Sequence, residues 1–217
     1  MNQPTPPTEI WSLIHAERAA LADDLAGLTE EQWATASLCE GLTVREVLAH
    51  LTAGASLNPV RWMVGVIRCR FDFDRQVAVR LAEQLGASPE ETLARFRRAM
   101  TGTTKPPLPK LAMLAEVVVH GEDIRRPLGL TRDYPVATLT SVATYYRGSD
   151  LPALSKKRAD GLRLRATDGP FAAGDGPEVY GTTLALIMAM AGRASYCDEL
   201  DGDGVATLRD RQGLTGR

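Results

Sequence analysis

Glu116 and His120 stand four positions apart in EVVVHGEDIRRPLG, residues 116–129, inside an otherwise apolar run. On an α-helix, residues at i and i+4 share a face with Cβ atoms about 5–6 Å apart, so both side chains can reach one ion. On a strand the same pair would sit roughly 13 Å apart, at about 3.3 Å per residue, and could not chelate together. Leu111, Met113, Leu114, Val117, Val118, Val119 and Ile124 leave little water near the carboxylate. A buried carboxylate is costly unless it is paired or bound to a metal. The chain has three histidines, and His50, near the end of a different helical segment, completes a set of two imidazoles and one carboxylate. That is a donor set for zinc with a fourth position left open to a reactant. A rival reading of the same residues is a helix ion pair between Glu116 and His120, with His50 a core histidine bonded to a backbone carbonyl.

Other residues could support such a site. Asp123, one turn past His120, is a candidate acid–base group or a carboxylate that orients the histidine. Arg125 and Arg126 could bind an anionic cofactor or substrate, or simply favour the C-terminal end of a helix. Cys39, in SLCEGLT, offers a thiol near a helix start, although a buried structural cysteine is the plainer expectation. His15 reads as a boundary residue of an amphipathic helix. The glycines of AAGDGPEVYG match neither a dinucleotide nor a phosphate loop.

These residues must be positioned by recognisable elements. The three valines 117–119 favour a strand by propensity. The length from Lys110 to Arg126, stopped by Pro127 and Gly129, favours a helix that is buried all round. Thr43 and Glu46 form a capping-box signal ahead of Val44, Val47, Leu48, Leu51 and Ala55, with His50 on the flank of that stripe. Asn58-Pro59 interrupts this helix, which resumes through Trp62, Val64 and Ile67. Ser88 with Glu91 opens another toward Met100.

At the amino end, residues 1–7 read as a leader and Thr8 as a cap. Ile10, Leu13, Ile14, Leu21 and Leu25 follow at helical spacing, interrupted by Glu17. Thr29 opens a short turn carrying Trp33. After Pro135 an amphipathic stretch runs from Val136 to Arg147. Beyond about residue 150 the pattern changes. GLRLRAT alternates apolar and polar residues as a half-exposed strand does, DGPFAAGDGPEVYG reads as strands or a hairpin, and Thr182 to Ala191 reads as an apolar helix. The expected organisation is therefore α+β: a helical bundle over 1–148 and a small α+β domain over 149–217.

Composition narrows the function. With 44% hydrophobic and 24% charged residues the chain resembles a soluble globular protein, and a net charge of −2 offers no electrostatic case for nucleic acid. No window approaches the roughly 20 apolar residues of a membrane span, and the start MNQPTPPTEI has no signal-peptide character. Three widely spaced cysteines fit a reducing cytoplasm. Only 4 of the 25 basic residues are lysines, which suggests a GC-rich coding genome.

LCEGLTVREVLAHL (38–51), EVVVHGEDIRRPLG (116–129) and ATDGPFAAGDGPEVYG…LIMAMAGR…DELDGDGVATLRDR (166–211) resemble, in order, three signatures of one family. It is the mycothiol-dependent maleylpyruvate isomerase family of actinobacteria, within the wider DinB-like metal-binding four-helix bundles. The resemblance implies an N-terminal DinB-like four-helix bundle followed by a small sterol-carrier-like α+β domain. It implies a divalent metal, usually zinc, held by His50, Glu116 and His120. It also implies mycothiol as co-substrate, and an enzyme performing thiol S-transfer or cis/trans isomerisation on a small electrophile. Members usually carry tryptophan after CEG, where this chain has Leu42. Two other functions share the ligand set: metal-assisted hydrolysis of a small molecule, and non-catalytic binding of a small ligand.

Overall fold

The computed structural model describes residues 7–151 and 153–214, which form two compact units meeting in sequence at Arg132 and Asp133. Of the expected leader, residues 1–7, positions 1–6 lie outside the described residues and Pro7 belongs to the first helix. Helix α1 (Pro7–Asp24) starts one residue ahead of Thr8, the expected cap. The stripe it presents includes Ile14, Leu21 and Leu25, all fully buried. Glu17, which breaks that stripe, is itself buried and accepts from Arg132 Nε and Nη2 at 3.2 and 3.3 Å, so the interruption is a paired charge.

The short α2 (Glu30–Trp33) is closed by a Thr29/Gln32 capping box and buries Trp33. Helix α3 (Val44–Ser56) begins as its sequence announces. The Glu46 amide donates to Thr43 Oγ1 at 3.3 Å, and the Glu46 carboxylate accepts the Thr43 amide at 2.8 Å. Val44, Val47, Leu48, Leu51 and Ala55 are buried in the core that this cap anchors. Thr43→Ala should therefore lower stability by about 1 kcal/mol. A denaturant melt of the variant measures it, and an unchanged midpoint would show that the cap is dispensable.

Helices α4 (Pro59–Arg68) and α5 (Phe73–Leu85) follow, then α6 (Pro89–Ala99) and α7 (Lys110–Arg125). The break at Asn58 is real, since its side chain caps α4 by accepting from the Arg61 amide at 2.9 Å. Val64 and Ile67, however, are 46% and 59% exposed, so α4 does not bury the stripe expected of it. Helix α1 packs on α6 and α7, and α3 packs on the same two, which closes a ring of four helices. Leu21, Leu25, Trp33, Val47, Leu48, Leu93, Phe96 and Ile124 form its core. Helix α5 lies outside that ring, against α3 and α6.

Helix α7 settles the strand-or-helix ambiguity. Val117, Val118 and Val119 are all buried within a continuous helix, together with Met113, Leu114 and Ile124. Burial around the whole circumference supplies more stabilisation than the modest helix penalty of three β-branched residues removes. A 3₁₀ turn over Arg126–Leu128 ends it, with Gly129 in the left-handed region that a side chain resists.

The second unit begins earlier than the expected break at 148/149. Helix α8 (Val136–Gly148), read from sequence as part of the bundle, packs instead against α10 (Thr183–Met190) and α9 (Ser155–Arg158) through buried Leu139, Val142 and Tyr146. Strand β1 (Arg163–Ala166) lies between β2 (Ala172–Ala173), antiparallel to it, and β3 (Glu178–Gly181), parallel to it. Leu164 and Val179, paired across β1 and β3, are fully buried, and α10 packs on both strands. The unit closes with a 3₁₀ turn and α11 (Val205–Asp210). Among the described residues no helix is long and apolar enough to cross a membrane.

Candidate metal centre

His50 lies in the last two turns of α3, on the flank of its buried stripe, while Glu116 and His120 lie one turn apart on α7. Helices α3 and α7 pack together, and that contact brings residues 66 positions apart in sequence to one point. His50 Nε2 is 3.3 Å from Glu116 Oε2, and His120 Nε2 is 3.5 Å from the same oxygen. The two imidazole rings meet edge to face, with centroids 4.9 Å apart.

These separations accommodate both an ion-paired and a metal-bound arrangement of the three residues. Hydrogen bonds from N–H to oxygen cluster near about 2.9–3.0 Å. Two ligands at about 2.0–2.1 Å from a tetrahedral zinc stand roughly 3.3–3.4 Å apart. One carboxylate oxygen facing two imidazole nitrogens at 3.3 and 3.5 Å matches the second spacing. The side chains are 25%, 20% and 12% exposed for His50, Glu116 and His120, so the cluster is only partly withdrawn from solvent. The residues present thus fit a divalent cation.

Asp123 is fully buried, and its Oδ2 accepts from His120 Nδ1 at 2.8 Å. With Nδ1 holding the proton, the Nε2 lone pair is directed at the Glu116 side, the arrangement usual for metal-ligating histidines. Asp123 therefore sits where a carboxylate can orient His120. The acid–base role expected of it would need contact with a reactant, which full burial denies. Without a cation the cluster holds a proton in its place. Burial works against a charged imidazole here, but the Glu116 carboxylate, followed by the Asp123 hydrogen bond, pushes His120 up to about 9. Burial would likewise raise Glu116, yet His120 first and His50 second hold it well below the usual carboxylate range.

The remaining candidates separate. Arg125, expected as an anion-binding residue, is 1% exposed and donates from Nε to Asp24 Oδ2 at 2.7 Å. Its place is a buried ion pair that ties α7 to the end of α1. Arg126 stands exposed at the C-terminal cap of α7. His15 accepts no acidic partner: its Nε2 lies 3.2 Å from the Gly102 carbonyl oxygen and its ring stacks on Trp11, a boundary position as expected.

Cys39 is the residue that sequence reasoning undervalued. It is half-buried, and its sulfur belongs to a group with His120 and Asp123 whose ligand atoms lie within 4.8 Å of one another. The Leu38 amide donates to the Asp123 carbonyl oxygen at 3.1 Å, which moors this loop to α7. Leu42 packs with Cys39 against the bundle core. No spacing rule links positions 39 and 120, so the proximity emerges only from the fold.

The four-helix bundle thus carries, between α3 and α7, a His/Glu/His cluster whose ligand atoms lie close enough together to hold one metal ion. Residues 14–107 match the family model described as the Mycothiol maleylpyruvate isomerase N-terminal domain. The matched stretch includes His50 and ends ahead of Glu116 and His120. Along the whole chain the fold is similar to two solved structures. One is the crystal structure of a histidine-to-alanine mutant of the mycothiol-dependent maleylpyruvate isomerase, with a TM-score of 0.60, 17% identity, and 92% of this chain and 93% of that one covered. The other is the crystal structure of the mycothiol-dependent maleylpyruvate isomerase, with a TM-score of 0.55, 20% identity and the same coverage. The search of curated proteins gave no match.

Proposed function

We propose that this protein is an enzyme of the mycothiol-dependent maleylpyruvate isomerase type, acting on a small electrophile with mycothiol as co-substrate. The observation that carries the reading is the convergence of the His50, Glu116 and His120 ligand atoms, all within 4.8 Å of one another, at a part-buried position. The family of residues 14–107 and the shared fold support mycothiol as the thiol.

His50, Glu116 and His120 would hold a divalent cation, zinc by the character of the donors. Bound there, such a cation supplies Lewis acidity, which lowers the pKa of a thiol reaching its open position. Glu116 contributes a negative charge that offsets the cation in a poorly solvated site. Asp123 accepts the Nδ1 proton of His120, which leaves Nε2 as the nitrogen that would face the cation once its own proton is displaced. The buried side chains of Val117, Val118 and Val119 keep water from the helix behind the cluster. The partial exposure of His50 and Glu116 leaves room for the thiol and the electrophile to meet.

The thiolate is the nucleophile. Its sulfur adds to the electrophile's double bond. The π electrons move onto the electrophile's conjugated carbonyl as an enolate. In isomerisation the enolate expels the thiolate after rotation about the resulting single bond, whereas in S-transfer the sulfur stays and the enolate takes up the proton that the thiol had lost. Arg126, exposed at the end of α7, is the arginine positioned to meet an anionic substrate from solvent. A reducing cytoplasm suits this chemistry, since it keeps a thiol co-substrate reduced.

Assaying zinc-loaded protein with mycothiol and maleylpyruvate tests the proposal. The expected result is conversion of maleylpyruvate without net consumption of thiol, lost on chelation and in His50→Ala. Turnover that persists without mycothiol would overturn the thiol reading, and turnover indifferent to chelation would overturn the metal reading.

A further inference from the structure

Helices α4 and α5 carry none of the three cluster residues, yet a cavity of about 220 Å³ lies between them. Gly65, Arg68, Cys69, Arg75, Gln76 and Arg80 line it, and Glu83 is the one carboxylate in its wall. That volume is below the roughly 300–1,000 Å³ of drug-sized ligand sites, so an occupant would be small.

The wall is built rather than incidental. Arg80 Nη1 donates to Glu83 Oε1 and Oε2 at 3.0 and 2.9 Å, and Nη2 donates to the Arg61 carbonyl at 3.0 Å. Its Nε–H is buried without an acceptor, which leaves this guanidinium one hydrogen bond short. Gln76, 4% exposed, is fixed by donating from Nε2 to the Trp62 carbonyl at 3.0 Å. Gly65 is what admits both groups against α4. A Cβ there would come within 2.9 Å of Arg80 Nη2 and 3.0 Å of Gln76 Nε2.

Charge decides what such a cavity attracts. Glu83 is committed to Arg80 through both oxygens. Arg68 and Arg75 have no ion-pair partner among the described residues, so two guanidiniums at the cavity stand uncompensated. A guanidinium presents planar forked donors that match carboxylate and phosphate oxygens. A concave wall with a net positive charge also concentrates anions more than a flat surface does.

We propose that the cavity between α4 and α5 binds a small oxyanion, a carboxylate- or phosphate-bearing molecule, gripped by Arg68 and Arg75 against the fixed Arg80 guanidinium. This site is separate from the His50, Glu116 and His120 cluster and does not depend on what that cluster does.

Titration of the full-length protein as purified, with succinate and separately with inorganic phosphate at matched chloride, tests the proposal by calorimetry. Alkylation of Cys69, followed by peptide mass spectrometry, reports occupancy of the cavity itself. Saturable binding of at least one anion is expected, with Cys69 protected. Arg75→Gln, a change at an exposed position, should weaken that binding about tenfold or more. Arg68→Gln should act in the same direction, and Gly65→Ala should abolish protection of Cys69. Binding should survive in Glu116→Ala, which separates this site from the metal cluster. Whichever anion saturates identifies the ligand as carboxylate or phosphate. Absence of binding by both anions, binding unaffected by the arginine changes, or binding lost in Glu116→Ala would overturn the assignment.

Discussion

Replacing Glu116 by alanine is expected to strip the protein of its stoichiometric divalent cation. Glu116 Oε2 is the one donor that faces both imidazoles, at 3.3 and 3.5 Å, so its loss leaves two histidines with no shared third ligand. Loss of a partner outside the ligand set, as in Asp123→Asn, typically weakens metal affinity about 10–100-fold. Removal of a ligand should exceed that. Two readouts check it. Elemental analysis of the purified variant should fall from stoichiometric to residual metal. The rise in melting temperature that zinc confers on the wild type, through binding only the native state, should vanish. Glu116→Gln, which keeps the shape and loses the charge, should behave similarly, and a fully metallated Glu116→Ala protein would contradict the ligand set.

The pH dependence should be the second large effect. Metal ligation needs an unprotonated His120 Nε2, and in the cation-free protein this imidazole is pushed up to about 9. Below that value binding must displace a proton, so zinc affinity should fall about tenfold per unit of pH on going down from pH 9 and level off above it. Stability of the metal-free protein should run the other way. His120 has a folded value above its ordinary 6.5, so its contribution is complete below 6.5 and is lost as pH rises through about 9. Glu116, depressed below its ordinary 4.5, contributes above 4.5 and loses that contribution as pH falls below it. Melting temperatures of chelated and zinc-loaded protein, measured from pH 6 to 10, should therefore diverge as the solution becomes more alkaline. Parallel curves would show that the proton and the cation do not compete for His120.

Much of the site is legible in the sequence because its signals are local. The Thr43/Glu46 capping box fixes the start of α3 and hence the turn on which His50 falls. The four-residue spacing of Glu116 and His120 has chemical meaning only on a helix, and the length of the apolar run argues for one. Asp123 follows from the same helical periodicity. Its full burial, and so its orienting rather than acid–base role, depends on packing that no spacing encodes. Arg125 shows the same limit: a basic residue at a helix end reads as solvated or ligand-binding, but Asp24, far away in sequence, claims it.

The fold was less evenly readable. Helix α5 escapes pattern analysis because it buries little beyond Gln76 and Leu81, leaving Val77 and Val79 outward, so no apolar stripe marks it. Helix α8 was recognisable as a helix, but an amphipathic face does not say which unit will cover it. Leu139, Val142 and Tyr146 are buried within the second unit and move the boundary ahead of the expected position. Cys39 becomes interesting only once the Leu38 amide is seen to moor its loop to α7.

X-ray absorption at the zinc edge of the loaded protein addresses the coordination most directly. The account calls for two imidazole nitrogens and a carboxylate oxygen at about 2.0–2.2 Å, with one further light ligand at the open position. A sulfur scatterer at about 2.3 Å in the absence of added thiol would place Cys39 in the first coordination sphere. That result, or a shell lacking imidazole, would contradict the assignment of His50, Glu116 and His120.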